Sequence, residues 1–404
     1  MTDPKVSYAQ ALAATPNISP KEMMSELKKA YSEEDSKEDS MSRSEVLRDA
    51  LGVSQQPHKN LSDTARKLAE HTVIICVDTE SHTLNTDQMT ELAIVQIAYA
   101  RSSKQYQEGV GPHGRRLHKA LDFMHFRIAE HAHLKSNRKN SLGPEGNRFG
   151  HSRWVTFEEL RTILYHLFHR PVQSDDPELK GCLAPIVLVG HALEHDVENA
   201  RKPGLDFDIA ATRTVVATID TQKLAKEGVN PIWSPPPGSA TNEIGLKKLV
   251  EALGFEHTDD HTACNDAART MMCAIIMVLE DKFTTNQSVT MKQVATEVEN
   301  NSKTRPAMAY ACHRFDTGPH RNRSAYSHVE TYCDHVAKFK AWLRRYKDAT
   351  RKFNEGSRKS PPEVKNELEP AAHPWSTWPP DSKLSIHYRP LSLGVSHSSA
   401  IDSD

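Results

Sequence analysis

Two carboxylates one residue apart, Asp78 and Glu80, end an unbroken apolar run, Val73-Ile74-Ile75-Cys76-Val77. Five apolar, mostly β-branched residues without a polar break predict a strand buried on both faces, in the middle of a parallel or mixed sheet. Residues i and i+2 of a strand face the same side, so both acids project together from its end. Like charges held that close repel each other and resist burial unless a cation sits between them. Carboxylate oxygens are hard ligands, so the pair points to a divalent site suited to Mg²⁺ or Mn²⁺. An ordinary loop with two solvated acids fits the same two residues, and the pair needs support from elsewhere in the chain.

That support must come from the elements around it. A second strand is predicted over Thr90–Ala100, a third within Phe126–Glu130, and further buried strands over Ala184–His191 and Thr214–Thr221. Between and after them, amphipathic or apolar helices are expected from Thr156 to His169, Glu194 to Arg201, Gly245 to Leu253 and Asp266 to Lys282. Thr156 and Glu159 have capping-box spacing, and Gly254 fits a helix stop. Strands followed by alternating strands and helices predict a layered α/β domain over residues 69–285.

Open α/β sheets gather ligands at the ends of their strands. Asp196 follows the buried strand that ends at His191, and His261 and Asp266 stand at the start of the last apolar helix. Asp78, Glu80, Asp196 and Asp266 can therefore converge although they are distant in sequence. His191 reads as structural, and His257, Asp259 and Asp260 read as solvated loop residues.

The order of these motifs resembles the DEDDh exonucleases of the RNase H-like superfamily. Asp78-Thr79-Glu80, Gly190-His191 with Asp196, and His261-Thr262-Ala263 with Asp266-Ala267 stand in the family's sequence, over roughly residues 70–285. Ile219-Asp220-Thr221 and Gly245-Leu246-Lys247-Lys248-Leu249 match its Asp-Thr strand and Leu-x-x-Leu helix. The resemblance implies an RNase H-like mixed sheet flanked by helices and a metal-dependent 3′–5′ exonuclease acting on RNA or single-stranded DNA. It also implies two Mg²⁺ (or Mn²⁺) ions roughly 4 Å apart. Asp78 would bridge both, Glu80 and Asp266 would hold the first, Asp196 would act largely through metal-bound water, and His261 would be the general base. Departures are Ala192 for the usual Asn, His195 for the usual Phe, and Ser81-His82-Thr83-Leu84 where Thr-Gly-Leu is common. They raise the alternative of a weak or inactive nucleic-acid-binding adaptor. Phe126-Arg127-Ile128 with Glu130, and Phe149-Gly150-His151-Ser152, also resemble fungal "good for full"-like nuclease-domain proteins.

The rest of the chain frames that domain. A net charge of −2 over 404 residues names no partner by itself, and the 37% apolar content with 23 prolines predicts unpacked segments. Residues 1–68 are expected to be polar and disordered, with transient helix around Pro20–Tyr31 and Ser44–Leu51. Residues 286–359 read as a basic, partly helical extension; 301–360 hold 14 Lys/Arg against 5 Asp/Glu, with interleaved aromatics that suit phosphates and bases. Val329–Phe353 fits one basic amphipathic helix, and residues 360–404 read as a Pro- and Ser-rich tail that protein partners could engage. Cys312, His313, His320, His328, Cys333 and His335 have irregular spacing for zinc. The six scattered cysteines suit free thiols in a reducing, intracellular setting, cytoplasmic or nuclear. No run of residues is apolar enough to span a membrane, and no secretory signal opens the chain.

Overall fold

A computed structural model describes residues 19–32, 41–54, 61–98, 109–131, 134, 142–227, 231–235, 242–259, 261–304 and 352. The chain divides into two compact units, Met1–Met308 and Ala309–Asp404, and every described element lies in the first. Apart from Lys352, the helix expected over Val329–Phe353, the Cys/His set from Cys312 to His335 and the tail lie outside the described residues, as does Asp260.

A six-stranded mixed sheet forms the centre, in the order β4-β3-β2-β1-β5-β6. Its strands are β1 (Val73–His82), β2 (Asn85–Ala98), β3 (Asp122–Ile128), β4 (Ser152–Val155), β5 (Ile186–Gly190) and β6 (Val215–Asp220). β1 pairs antiparallel with β2 and parallel with β5, so it lies in the interior of the sheet as its apolar run requires. β2 pairs antiparallel with β3; β3 with β4 and β5 with β6 are parallel. Val73 through Val77 are each at most 1% exposed.

Two helical layers close over β1. Helix α9 (Ala263–Met277) is buried from Ala263 to Ile276 and packs on β1 and β2. A helix apolar around most of its circumference belongs in a core, and Met271, Met272 and Ile275 join Ile74, Cys76 and Val95 there. On the opposite face, α6 (Leu193–Arg201) packs on β1 and β5. The mixed sheet flanked by helices is the architecture expected from the sequence.

The remaining helices are α1 (Pro20–Ala30), α2 (Arg43–Ala50), α3 (Asp63–Ala69), α4 (Arg115–Lys119), α5 (Phe157–Phe168), α7 (Thr221–Leu224), α8 (Leu246–Ala252), α10 (Asp281–Thr284) and α11 (Met291–Thr304). α1 and α2 begin in capping boxes, Ser19 with Glu22 and Ser42 with Glu45, where local sequence placed them. Their burial exceeds transient helix: Met23, Leu27, Tyr31, Val46 and Leu47 join the same core as α9, and Tyr31 donates to Asp49 at 2.5 Å. α11 lies past the expected boundary at 285, yet Met291, Val294 and Val298 are buried in that core. Its Glu297 takes a bidentate pair from Arg115 at 2.6 and 2.8 Å. Cys76, Cys182, Cys264 and Cys273 are buried free thiols. Among the described residues no helix is long and apolar enough to cross a membrane.

Candidate active site

Where β1 leaves the core, Asp78 and Glu80 follow Cys76 onto the α9 face, and Thr79 alternates to the α6 face. Asp196, in the first turn of α6, reaches the strand end from that second layer. Its Oδ1 accepts from the Thr79 amide and the Thr79 hydroxyl, both at 2.8 Å. Asn199, one turn on, donates to the same hydroxyl at 2.8 Å and fixes its orientation. Asp196 is 5% exposed, and burial pushes its carboxyl up to about 7, against the two Thr79 hydrogen bonds.

Asp266 comes from the other layer. The helix expected to begin at Asp266 begins at Ala263, so Asp266 sits in the first turn of α9 and is 9% exposed. The His261 amide donates to Asp266 Oδ2 at 3.2 Å, and His257 Nε2 lies 3.0 Å from Oδ1. His257, expected in solvent, has a side chain 2% exposed. Asp259, also expected in solvent, is half-buried in an ion pair with Arg148. Neither was legible, because both depend on contacts across the fold.

His261 completes the group. Its φ of +64° is left-handed, and its imidazole is 42% exposed with Nδ1 3.7 Å from Glu80 Oε1. Glu80, His261 and Asp266 each offer one ligand atom within 4.8 Å of the others. Asp78 is half-buried with four other acids around it. Burial, then the charges of Asp196, Asp266, Glu80 and Glu91, drive its carboxyl well above the usual range. Its Oδ2 is buried without a hydrogen-bond partner. A buried oxygen without a donor, set among other carboxylates, suits a hard divalent cation.

Glu91 is a fifth acid that the sequence reading passed over. It stands opposite Glu80 on β2 and is 2% exposed. Its Oε2 meets His125 Nε2 at 2.8 Å and accepts from the Ala263 amide at 3.3 Å; His125 Nδ1 reaches Ser152 Oγ at 2.7 Å. A buried line across β2, β3 and β4 thus ends at the first residue of α9.

The β5–α6 turn is also built for close approach. A Cβ on Gly190 would lie 2.9 Å from Leu193 Cβ and 3.2 Å from its Cα, too close for a larger residue unless the turn shifts. Ala192 takes a left-handed φ of +58°, and the amides of Ala192 and Leu193 donate to the two Asp220 oxygens at 3.3 Å. Asp220 Oδ1 also caps α7 through the Gln222 amide at 2.8 Å. His191 Nδ1 bonds the Thr221 hydroxyl at 2.8 Å.

The model of a protein family matches residues 73–277; it is described as the C-terminal domain of DNA polymerase III subunit epsilon-like proteins, of the DEDDh type. No curated protein matches the chain.

Proposed function

The chain belongs to the DEDDh exonuclease family, and we propose that it is a metal-dependent 3′–5′ exonuclease hydrolysing phosphodiester bonds of RNA or single-stranded DNA. The observation that carries this reading is Asp78 Oδ2, buried without a hydrogen-bond donor among the charges of Asp196, Asp266, Glu80 and Glu91. Asp78, Glu80, Asp196 and Asp266 are the residues that would hold two Mg²⁺ or Mn²⁺ ions. Bound ions of this kind stabilise the attacking and leaving oxygens of an in-line displacement.

The remaining work falls to the chain. His261 is the one imidazole of the cluster open to solvent, and an imidazole titrates near neutral pH, so it takes the proton from the attacking water. The His261 amide orients Asp266 through Oδ2, and His257 Nε2 stands 3.0 Å from Oδ1, which has no hydrogen bond of its own. Thr79 holds Asp196 through Oδ1 alone, and Asn199 acts on it only through the Thr79 hydroxyl. Two of the departures from the family pattern, at His195 and Ala192, lie off this cluster. The His195 side chain is exposed, and at Ala192 it is the backbone amide that makes the described bond, to Asp220. They give the adaptor reading no specific support.

The test is release of 3′-terminal mononucleotides from end-labelled single-stranded and duplex RNA and DNA in Mg²⁺. Loss of several kcal/mol of charge stabilisation lowers kcat about 1,000-fold or more in Asp78→Asn and Asp266→Asn. Equal degradation by both variants and the wild type overturns the reading.

A further inference from the structure

The loop that carries His261 is not held by its own sequence alone. Asp259 and His261 both have left-handed φ, +54° and +64°, which side chains other than glycine rarely adopt without outside support. The support comes from residues 142–150, more than a hundred positions earlier. Thr262 Oγ1 donates to the Gly143 carbonyl at 2.7 Å. Asn265 Nδ2 donates to the carbonyls of Gly146 and Asp259 at 3.0 and 2.8 Å, and its Oδ1 accepts from the Arg148 amide at 2.8 Å. At Gly146 a Cβ would lie 3.1 Å from Leu142 Cβ and 3.2 Å from Asp259 Cβ, so the two segments run nearly in contact.

Arg148 joins this cradle to a third element. Its Nη1 donates to Asp259 Oδ2 at 2.9 Å, two residues before His261. Its Nε and Nη2 reach Glu299 Oε1, on α11, at 2.9 and 2.7 Å. The two carboxylates hold the guanidinium well above its ordinary range. Glu299 is anchored in turn by Arg269 of α9 at 3.4 Å, and Arg269 lies over the Phe149 ring at 4.6 Å. Ser302 Oγ accepts from the Gly150 amide at 3.0 Å, so α11 grips the same segment twice. A planar fork held by two acids fixes direction as well as distance.

We propose that Arg148 is a positioning residue for His261, and that α11 is therefore a working part of the catalytic unit. Arg148 touches no reacting atom; it sets where the imidazole stands through Asp259. What His261 does rests on the exonuclease reading above; that Arg148 orders its loop does not.

The experiment uses the full chain with Arg148→Ala, Arg148→Lys, His261→Ala and the Arg148→Ala/His261→Ala double variant. Misplacing a catalytic group by about 1 Å costs on the order of 100-fold. Arg148→Ala is expected to lose about that much kcat with KM changed less than about twofold. Arg148→Lys, which keeps one ion pair, recovers part of it, and adding Arg148→Ala to His261→Ala costs nothing more. Hydrogen exchange supplies a readout independent of turnover: the amides of 257–266 exchange faster in Arg148→Ala while those of β1 and β5 stay protected. Unchanged exchange at 257–266 overturns the proposal, as does an equal loss of kcat in the His261→Ala background. Loss of protection across the whole sheet also overturns it, since Arg148 would then hold the fold and not the loop. An inactive wild type overturns the nuclease reading alone, and the exchange result still decides the clamp.

Discussion

The two halves of β1 are opposites. From Val73 to Val77 every side chain is apolar, buried and packed, so each contributes to stability. From Asp78 to Glu80 the same strand holds two carboxylates, and Asp78 is pressed against three further acids with one oxygen lacking a donor. Burying like charges costs stability, and the cost is sustainable because the neighbouring five residues lie between two helical layers. Stability and chemistry occupy adjacent stretches of one element, and the first makes the second possible.

The largest expected effect attacks the stable half. Ile75→Ala should lower unfolding free energy by about 2–5 kcal/mol, measured by urea titration, because the sheet cannot collapse into the space left behind. If the comparison is right, the kcat of the molecules still folded changes little. Next comes the strained half. Asp78→Asn should stabilise the metal-free protein, on the order of 1 kcal/mol, by removing one of the clustered charges. A lower melting temperature in EDTA would break the contrast between the halves.

Near neutral pH the smallest effect comes from a titratable group buried on α4. Burial pushes the His118 imidazole down to about 3, so the folded protein keeps it neutral. The unfolded chain takes up its proton near 6.5. Its contribution is thus fully present above about pH 6.5 and is lost as pH falls toward 3, by about 1.4 kcal/mol per unit. His118→Leu should flatten the acid side of a melting-temperature profile and leave the slope above pH 7 alone.

Much of the scaffold was legible because it rests on local pattern. The runs at Val73–Val77 and Ile186–Val189 are too apolar to sit anywhere but inside, and Thr156 with Glu159 marks its helix start directly. β4 was missed, since four residues reading Ser-Arg-Trp-Val carry no strand period and pair only because β3 lies alongside. The polar composition of α11 hides its buried Met291, Val294 and Val298 from a reading of the sequence. In the site, Asp78, Glu80, Asp196, Asp266 and His261 could be singled out by motif order. Glu91, His257, Asn265 and Arg148 could not, because their importance lies in contacts with partners 6 to 172 positions away. Spacing reports local geometry; it carries no information on which side chain will meet another across a folded sheet.

One carboxylate has a mechanical consequence. Asp220 receives the amides that open α6 and the amide that opens α7, so two helix starts share a single pin at the end of β6. Ala192 is held in an awkward backbone state by that pin, and Asp196 follows four residues later. Any tug on the β6–α7 junction is therefore transmitted to Asp196 by rigid linkage rather than absorbed by slack.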